Sequence, residues 1–132
     1  MSVPLSPSDL QHFNQRLRAR FHALRAEIRD ALLRSDREGY AEIAGQVHDV
    51  EEEAFADLLV DVNLAEITRD VQEIRDIDAA LSRIAKGDYG VCIRCAEPVG
   101  RARLDAHPTA KRCLSCQQRY EREQPVARPP TL

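Results

Sequence analysis

Two Cys-x-x-Cys turns constrain this chain more than anything else in it. Cys92 to Cys95 and Cys113 to Cys116 stand seventeen residues apart and hold all four of its cysteines. Such a turn aims two thiolates at one point, and two of them close a tetrahedron around zinc. With Cys92, Cys95, Cys113 and Cys116 as ligands no position is left for water or substrate, so the spacing predicts one structural Zn2+ per chain. Two disulfides are the competing reading. Met1 to Asp9 lacks the basic and apolar regions of a secretory signal, which points to a reducing cytoplasm and weighs against them. A thioredoxin-like redox motif would need one Cys-x-x-Cys in a βαβ setting, and that setting is missing. His12, His22, His48 and His107 are scattered, and four cysteines leave His107 no role as a ligand.

Around this module the 132 residues read as an all-α protein: a long antiparallel coiled-coil hairpin, the small four-Cys module, and a short C-terminal helix. Ser6-Pro7-Ser8-Asp9 has the form of a helix start, with Ser6 as cap, Pro7 at the first position and Asp9 placed for a capping box. From there Leu17, Phe21, Leu24, Ile28 and Ala31 alternate steps of four and three toward Arg37, with Leu10 and Leu32 extending the stripe. Around Gly39 and Gly45 the pattern loosens, which predicts a turn or frayed tip between about Asp36 and His48. A second helix is expected from near Asp49 to Lys86. Its stripe is Val60, Leu64, Ile67, Val71, Ile74, Leu81 and Ile84, with a register defect near Ile77, and Gly87 is its stop signal. Two helices of that length make a rod on the order of 45 Å. The expected division is a hairpin over 1–87 with its tip at about 36–54, the zinc module over 88–123, and a disordered tail over 124–132.

Charge is laid out in blocks. Arg16 to Arg37 carries seven arginines against three acids, and Asp49 to Asp78 carries eleven acids against Arg69 and Arg75. Opposite charges can then flank the seam of an antiparallel pair, although two solvated faces that never meet would read the same way. The net charge of -3 gives no electrostatic case for wrapping nucleic acid, and no apolar run approaches the length that spans a membrane.

The residues Asp88-Tyr89-Gly90-Val91 before the first knuckle, the run Arg103-Leu104-Asp105-Ala106-His107-Pro108-Thr109-Ala110, and the second knuckle resemble the DksA/TraR family of bacterial transcription factors. The likeness is specific in the zinc region and extends from about Glu51 to Glu121. It implies a monomeric, cytoplasmic protein that binds RNA polymerase rather than DNA and passes a coiled-coil finger through the secondary channel toward the catalytic centre. In that family the finger tip carries Asp-x-x-Asp-x-Ala. Asp49, Glu52 and Ala54 occupy those places here, with Glu52 for the second aspartate. Asp49 and Glu52 also have the spacing of a capping box, and the two roles can coexist.

Some members respond to the alarmone ppGpp through basic side chains. Arg69 stands at one such position, but Asp76 and Gln117 occupy places where lysines are expected, which predicts a weak or absent response. Arg94, Arg101, Arg103, Lys111, Arg112 and Arg119 could meet an acidic surface at the channel rim or stay solvated. The competing class is a nucleic-acid-binding or adaptor zinc module dimerised by its coil, disfavoured by the acidic second helix and the break near Gly39. A transcript-cleavage factor holding a second metal at the tip acids is disfavoured because such factors have a zinc-free architecture unlike this four-cysteine chain, and an independent enzyme because no pocket-forming core is evident and no nucleophile stands with a base.

Overall fold

The structure, a computed structural model, describes residues 5–47, 50–60, 62 and 64–124. Helix α1 (Pro7–Arg34) starts as its sequence dictates. The Asp9 amide donates to Ser6 Oγ at 3.0 Å, and the Ser6 amide donates to Asp9 Oδ2 at 2.9 Å, so two otherwise orphaned N–H groups are satisfied. Phe13, Leu17, Phe21, Leu24, Ile28, Ala31 and Leu32 form its buried stripe. The helix ends at Arg34, three residues earlier than the stripe toward Arg37 suggested, where the backbone turns extended at Ser35.

Between residues 35 and 64 the structure departs from the expected hairpin. The region foreseen as a turn holds a short helix, α2 (Tyr40–Gln46), entered through Gly39 at φ 87°, a left-handed conformation that glycine adopts without strain. The expected continuous second helix is two helices, α3 (Glu52–Leu58) and α4 (Ala65–Lys86). The sequence between them includes Leu59, Val60, Val62, Asn63 and Leu64, where β-branched residues and an asparagine lower helix propensity. α3 begins from Glu51 with no side-chain cap bond, while Asp49 and the Glu52 side chain of the expected capping box lie outside the described residues.

α1 and α4 run antiparallel. Arg20 meets Glu73 through two bonds of 2.7 and 2.9 Å, while Arg34, half the helix further on, meets Glu66 at 3.6 Å. These cross-helix pairs realise the opposed charge blocks, but their exposure limits each to a few tenths of a kcal/mol. The seam itself is apolar. Ile67, Ile74, Ile77, Ala80 and Leu81 are buried on α4. Ile77, where a register defect was expected, is 1% exposed, so the stripe passes through it unbroken.

α2 packs on α1, burying Tyr40, Ala44 and Val47, and α3 packs on α4. Phe55 of α3 is fully buried and meets Phe21 edge-to-face, ring centroids 5.4 Å apart. Phe21 lies thirteen residues before the end of α1, or about 20 Å back along it at ~1.5 Å per residue. The 35–64 arm is therefore folded back along the hairpin instead of projecting beyond it. α4 ends as expected at Gly87, φ 85°, whose amide donates to the carbonyls of Arg83 and Ile84. The zinc module adds α5 (Arg101–Ala106), for which the sequence carries no periodic signal, and α6 (Leu114–Glu123), the expected short C-terminal helix. No strand forms among the described residues, only one isolated antiparallel bridge, Val91 with Pro98. The tail at 125–132 lies outside them.

Candidate metal centre

The first knuckle is a turn closed by backbone bonds. The Cys92 amide donates to Glu97 O at 2.8 Å, the Ala96 amide to Cys92 O at 3.0 Å, and the Val99 amide to Gly90 O at 2.8 Å. The second knuckle is a helix start. Cys113 is the N-cap of α6, and Cys116 lies in its first turn, where the positive end of the helix favours thiolates. A bond from the Ile93 amide to Lys111 O, 2.9 Å, ties the two turns together.

All four Sγ atoms lie within 4.8 Å of one another, and Cys95 and Cys113 approach to 3.8 Å. A tetrahedron with Zn–S bonds of about 2.3 Å has sulfur–sulfur edges of about 3.8 Å, so the cluster has the dimensions zinc requires. Electrostatics point the same way. Burial opposes the Cys92 thiolate, but the backbone amides of Cys95, Cys113 and Arg94 outweigh it and lower the thiol to about 6. Cys116 is pushed up to about 12, first by the Cys113 side chain and then by burial. For Cys95 the Glu97 amide favours the thiolate, but burial and the thiols of Cys92 and Cys113 together raise it. Four sulfurs this close cannot all be anionic unless a cation sits among them. The ligand set closes around one ion, so the metal's part is to hold the fold.

The module is fastened to the hairpin by residues that the sequence reading did not single out for this purpose. Tyr89 donates its hydroxyl to Pro108 O at 2.7 Å and packs its ring at a tilt against Phe13, and burial pushes its pKa up to about 12. Arg83, held below its usual value by burial, reaches Thr109 O at 3.4 Å. Arg16 donates to Asp105 O at 3.0 Å. Arg101 bonds to Asp9 of the α1 capping box and lies over the Phe13 ring, 5.1 Å from its centroid. Phe13, fully buried, was legible four residues before Leu17 in the same stripe.

The prokaryotic dksA/traR C4-type zinc finger matches residues 87–122. RNA polymerase-binding transcription factor DksA of Caulobacter vibrioides (strain NA1000 / CB15N) is 34% identical over 128 residues, 94% of this chain and 84% of that protein. The chain belongs to the DksA/TraR family. Within the family, DksA of Escherichia coli K12 is 27% identical over 93% of this chain and 79% of its own length. The solved structure of transcription factor DksA2 from Pseudomonas aeruginosa is 34% identical over 86% of this chain and 78% of that one, with a TM-score of 0.47. The DksA/TraR assignment makes the four-cysteine cluster a structural zinc site.

The other expected site residues do not gather at one place. Asp49 and the side chain of Glu52 lie outside the described residues, and Ala54 is exposed on α3. Asp76 and Gln117 both line a groove of about 590 Å³ between α4 and the zinc module, with Arg83, Lys111 and Arg112. Arg69 is not part of its lining, standing two helical turns from Asp76. The groove's arginines already have partners. Arg83 reaches Thr109, Arg103 donates to Arg112 O at 3.0 Å, and Arg112 lies over the Tyr120 ring at 3.8 Å.

Proposed function

We propose that this protein regulates transcription by binding RNA polymerase through the secondary channel, bringing the acids of its α2–α3 region toward the catalytic centre. The observation that carries this reading is the match over most of both chains to a protein named RNA polymerase-binding transcription factor DksA, with the zinc module intact. Zinc holds the base of the finger in shape through the fastenings at Tyr89, Arg83, Arg16 and Arg101. Asp49, Glu52 and Ala54 form the tip motif. A carboxylate delivered to a site built around magnesium and phosphates perturbs charged groups there. The role is regulatory rather than enzymatic, and the compartment is the cytoplasm, where polymerase is found. Among the described residues no helix is long and apolar enough to cross a membrane.

The α1 stripe is used within the chain, against α4, α2 and Phe55, which supports a monomer and leaves a coil-mediated dimer without a seam. The groove at Asp76 and Gln117 supports a weak or absent ppGpp response, because an acid and an amide replace cations that a polyphosphate needs. The test is a titration of labelled protein with purified RNA polymerase and, separately, with promoter DNA. Saturable binding to polymerase and none to DNA at physiological salt is expected. Salt-dependent DNA binding without polymerase binding would replace this reading with the nucleic-acid one.

A further inference from the structure

The start of α1 is used twice. Counted from the Ser6 cap, Leu5 and Leu10 stand at the two positions of a hydrophobic staple, the residue before the cap and the fourth of the helix, and both line one cleft of about 300 Å³. A staple is ordinarily a local device. Here the cleft's other wall is the zinc module, through Gly90, Val91, Pro98 and Leu104. The Leu5 side chain reaches that wall: a Cβ at Gly90 would stand 2.8 Å from Leu5 Cδ1 and 3.6 Å from Leu104 Cδ1. Gly90, at φ 85°, admits Leu5 that closely because it has no Cβ. The capping acid repeats the pattern, since Asp9 bonds to Ser6 within the cap and to Arg101 across the joint. Arg101 and Leu104 are three apart on α5 and so share a face of it, which the α1 cap grips at two points.

Little else holds the two bodies at a fixed angle. The chain passes from hairpin to module once, through Gly87-Asp88-Tyr89-Gly90, with a positive-φ glycine at each end. Among the described residues the helix pairs that pack along one another are α1 with α4, α1 with α2 and α3 with α4, and neither α5 nor α6 is in that set. Side chains therefore hold the joint. Arg16 and Arg101 cross it as exposed polar contacts, which are weak in water. Phe13 packs on Tyr89, inside the crossing segment, whereas Leu5 reaches past it to the neighbourhood of Leu104 on α5.

We propose that Leu5 is a positioning residue, a wedge seated against Gly90 beside Leu104 that fixes the angle between zinc module and hairpin and so the direction in which the finger points. Its consequence for polymerase rests on the secondary-channel reading, while the wedge itself is a property of the free chain. With the wedge gone, the finger is aligned with the channel for only part of the time. A joint that keeps the productive angle about a tenth of the time lowers the apparent affinity about tenfold. The cleft gives a displaced Leu5 room to move, so an added Cβ at Gly90 pushes aside the end of a flexible side chain and not backbone.

The test is the residual dipolar couplings of backbone amides in the zinc-loaded chain, which report whether α4 and α6 are held in one orientation. In wild type both helices should fit one alignment. Leu5→Ala should keep one zinc per chain and the helical circular dichroism, but lose the common alignment, with the α6 couplings scaled down relative to those of α4. It should bind purified polymerase about tenfold more weakly. Leu5→Met, which refills the seat with a side chain of similar volume, should restore both properties. Gly90→Ala should loosen the joint as Leu5→Ala does. In the Leu5→Ala background it should loosen it no further, because the added Cβ then meets only ordinary contact with Leu104. A Leu5→Ala chain that keeps the common alignment overturns the wedge and leaves Leu5 as a local staple. So does a Gly90→Ala substitution that loosens the joint equally in both backgrounds. Loosened couplings with undiminished polymerase binding overturn the role in aiming the finger. If wild type fails to bind polymerase, the channel reading falls, and the couplings still decide the wedge.

Discussion

Ala96 is the one non-glycine residue at positive φ among those described, at 65°, immediately after the first knuckle. A Cβ there meets the following carbonyl, at a cost of about 1 kcal/mol. Ala96→Gly should therefore raise the thermal stability of the zinc-loaded module by up to about 1 kcal/mol, less what glycine's extra freedom in the unfolded chain returns. Differential scanning calorimetry of the two forms checks it, and a fall in stability would show that the Ala96 methyl makes contacts that outweigh the strain. Cys113→Ser removes a thiolate and should reduce bound zinc from one per chain toward zero, measured by chromogenic chelator after denaturation. At the other end of the clasp, the Ser6 amide holds the Asp9 carboxyl below the usual carboxylate range, helped by Arg101. A depressed folded value means the stabilisation is fully present above the unfolded value, near pH 4, and is lost as pH falls through the folded one. The protection of the Ser6 and Leu10 amides, relative to their intrinsic exchange rates, should accordingly fall below about pH 4, and Asp9→Asn should remove that dependence.

At the scale of elements, Phe21 is where α1, α3 and the arm converge, 1% exposed and in ring contact with Phe55. Phe21→Ala should cost about 3–5 kcal/mol in urea unfolding, since the cavity lies between elements that are held in place by other contacts. A cost below about 1 kcal/mol would mean that the arm collapses into the space. Much of this scale was legible in the sequence. The α1 stripe, its Ser6-Asp9 cap and the Gly87 stop come from local chemistry that tertiary contacts did not override. The arm was not legible, because heptad spacing at Val60 and Leu64 describes the helix α4 would form if extended. The packing of Phe55 on Phe21 is a long-range contact with no local signature. α5 was missed for a different reason: six residues between Gly100 and Pro108 are too few to show a period. The four zinc ligands needed no tertiary information beyond their spacing, whereas the fastenings at Arg101 and Arg16 join residues about ninety positions apart.

Across the whole molecule, zinc acts at a distance through those fastenings. The module has few large apolar residues, so removing the ion should unfold it, melting α5 and α6, six and ten residues long. The α1–α4 pairing has its own apolar seam and should survive. Circular dichroism with excess chelator should show a minor loss of helical signal and a second, zinc-independent melting transition. A complete loss of helix would mean that the hairpin cannot stand without its base. The same fastenings set the direction in which the finger points, so the chelated protein should bind polymerase more weakly even with its tip intact.

The central claim is that an acid in the α2–α3 region acts inside polymerase, and it is tested most directly by the lifetime of open complexes at a stable-RNA-type promoter. Purified polymerase is compared alone, with the wild-type protein and with Asp49→Asn. The account predicts a shortened lifetime with wild type and an unshortened one with Asp49→Asn, which should still bind polymerase. Wild type and Asp49→Asn acting alike, or neither changing the lifetime while both bind, would contradict it.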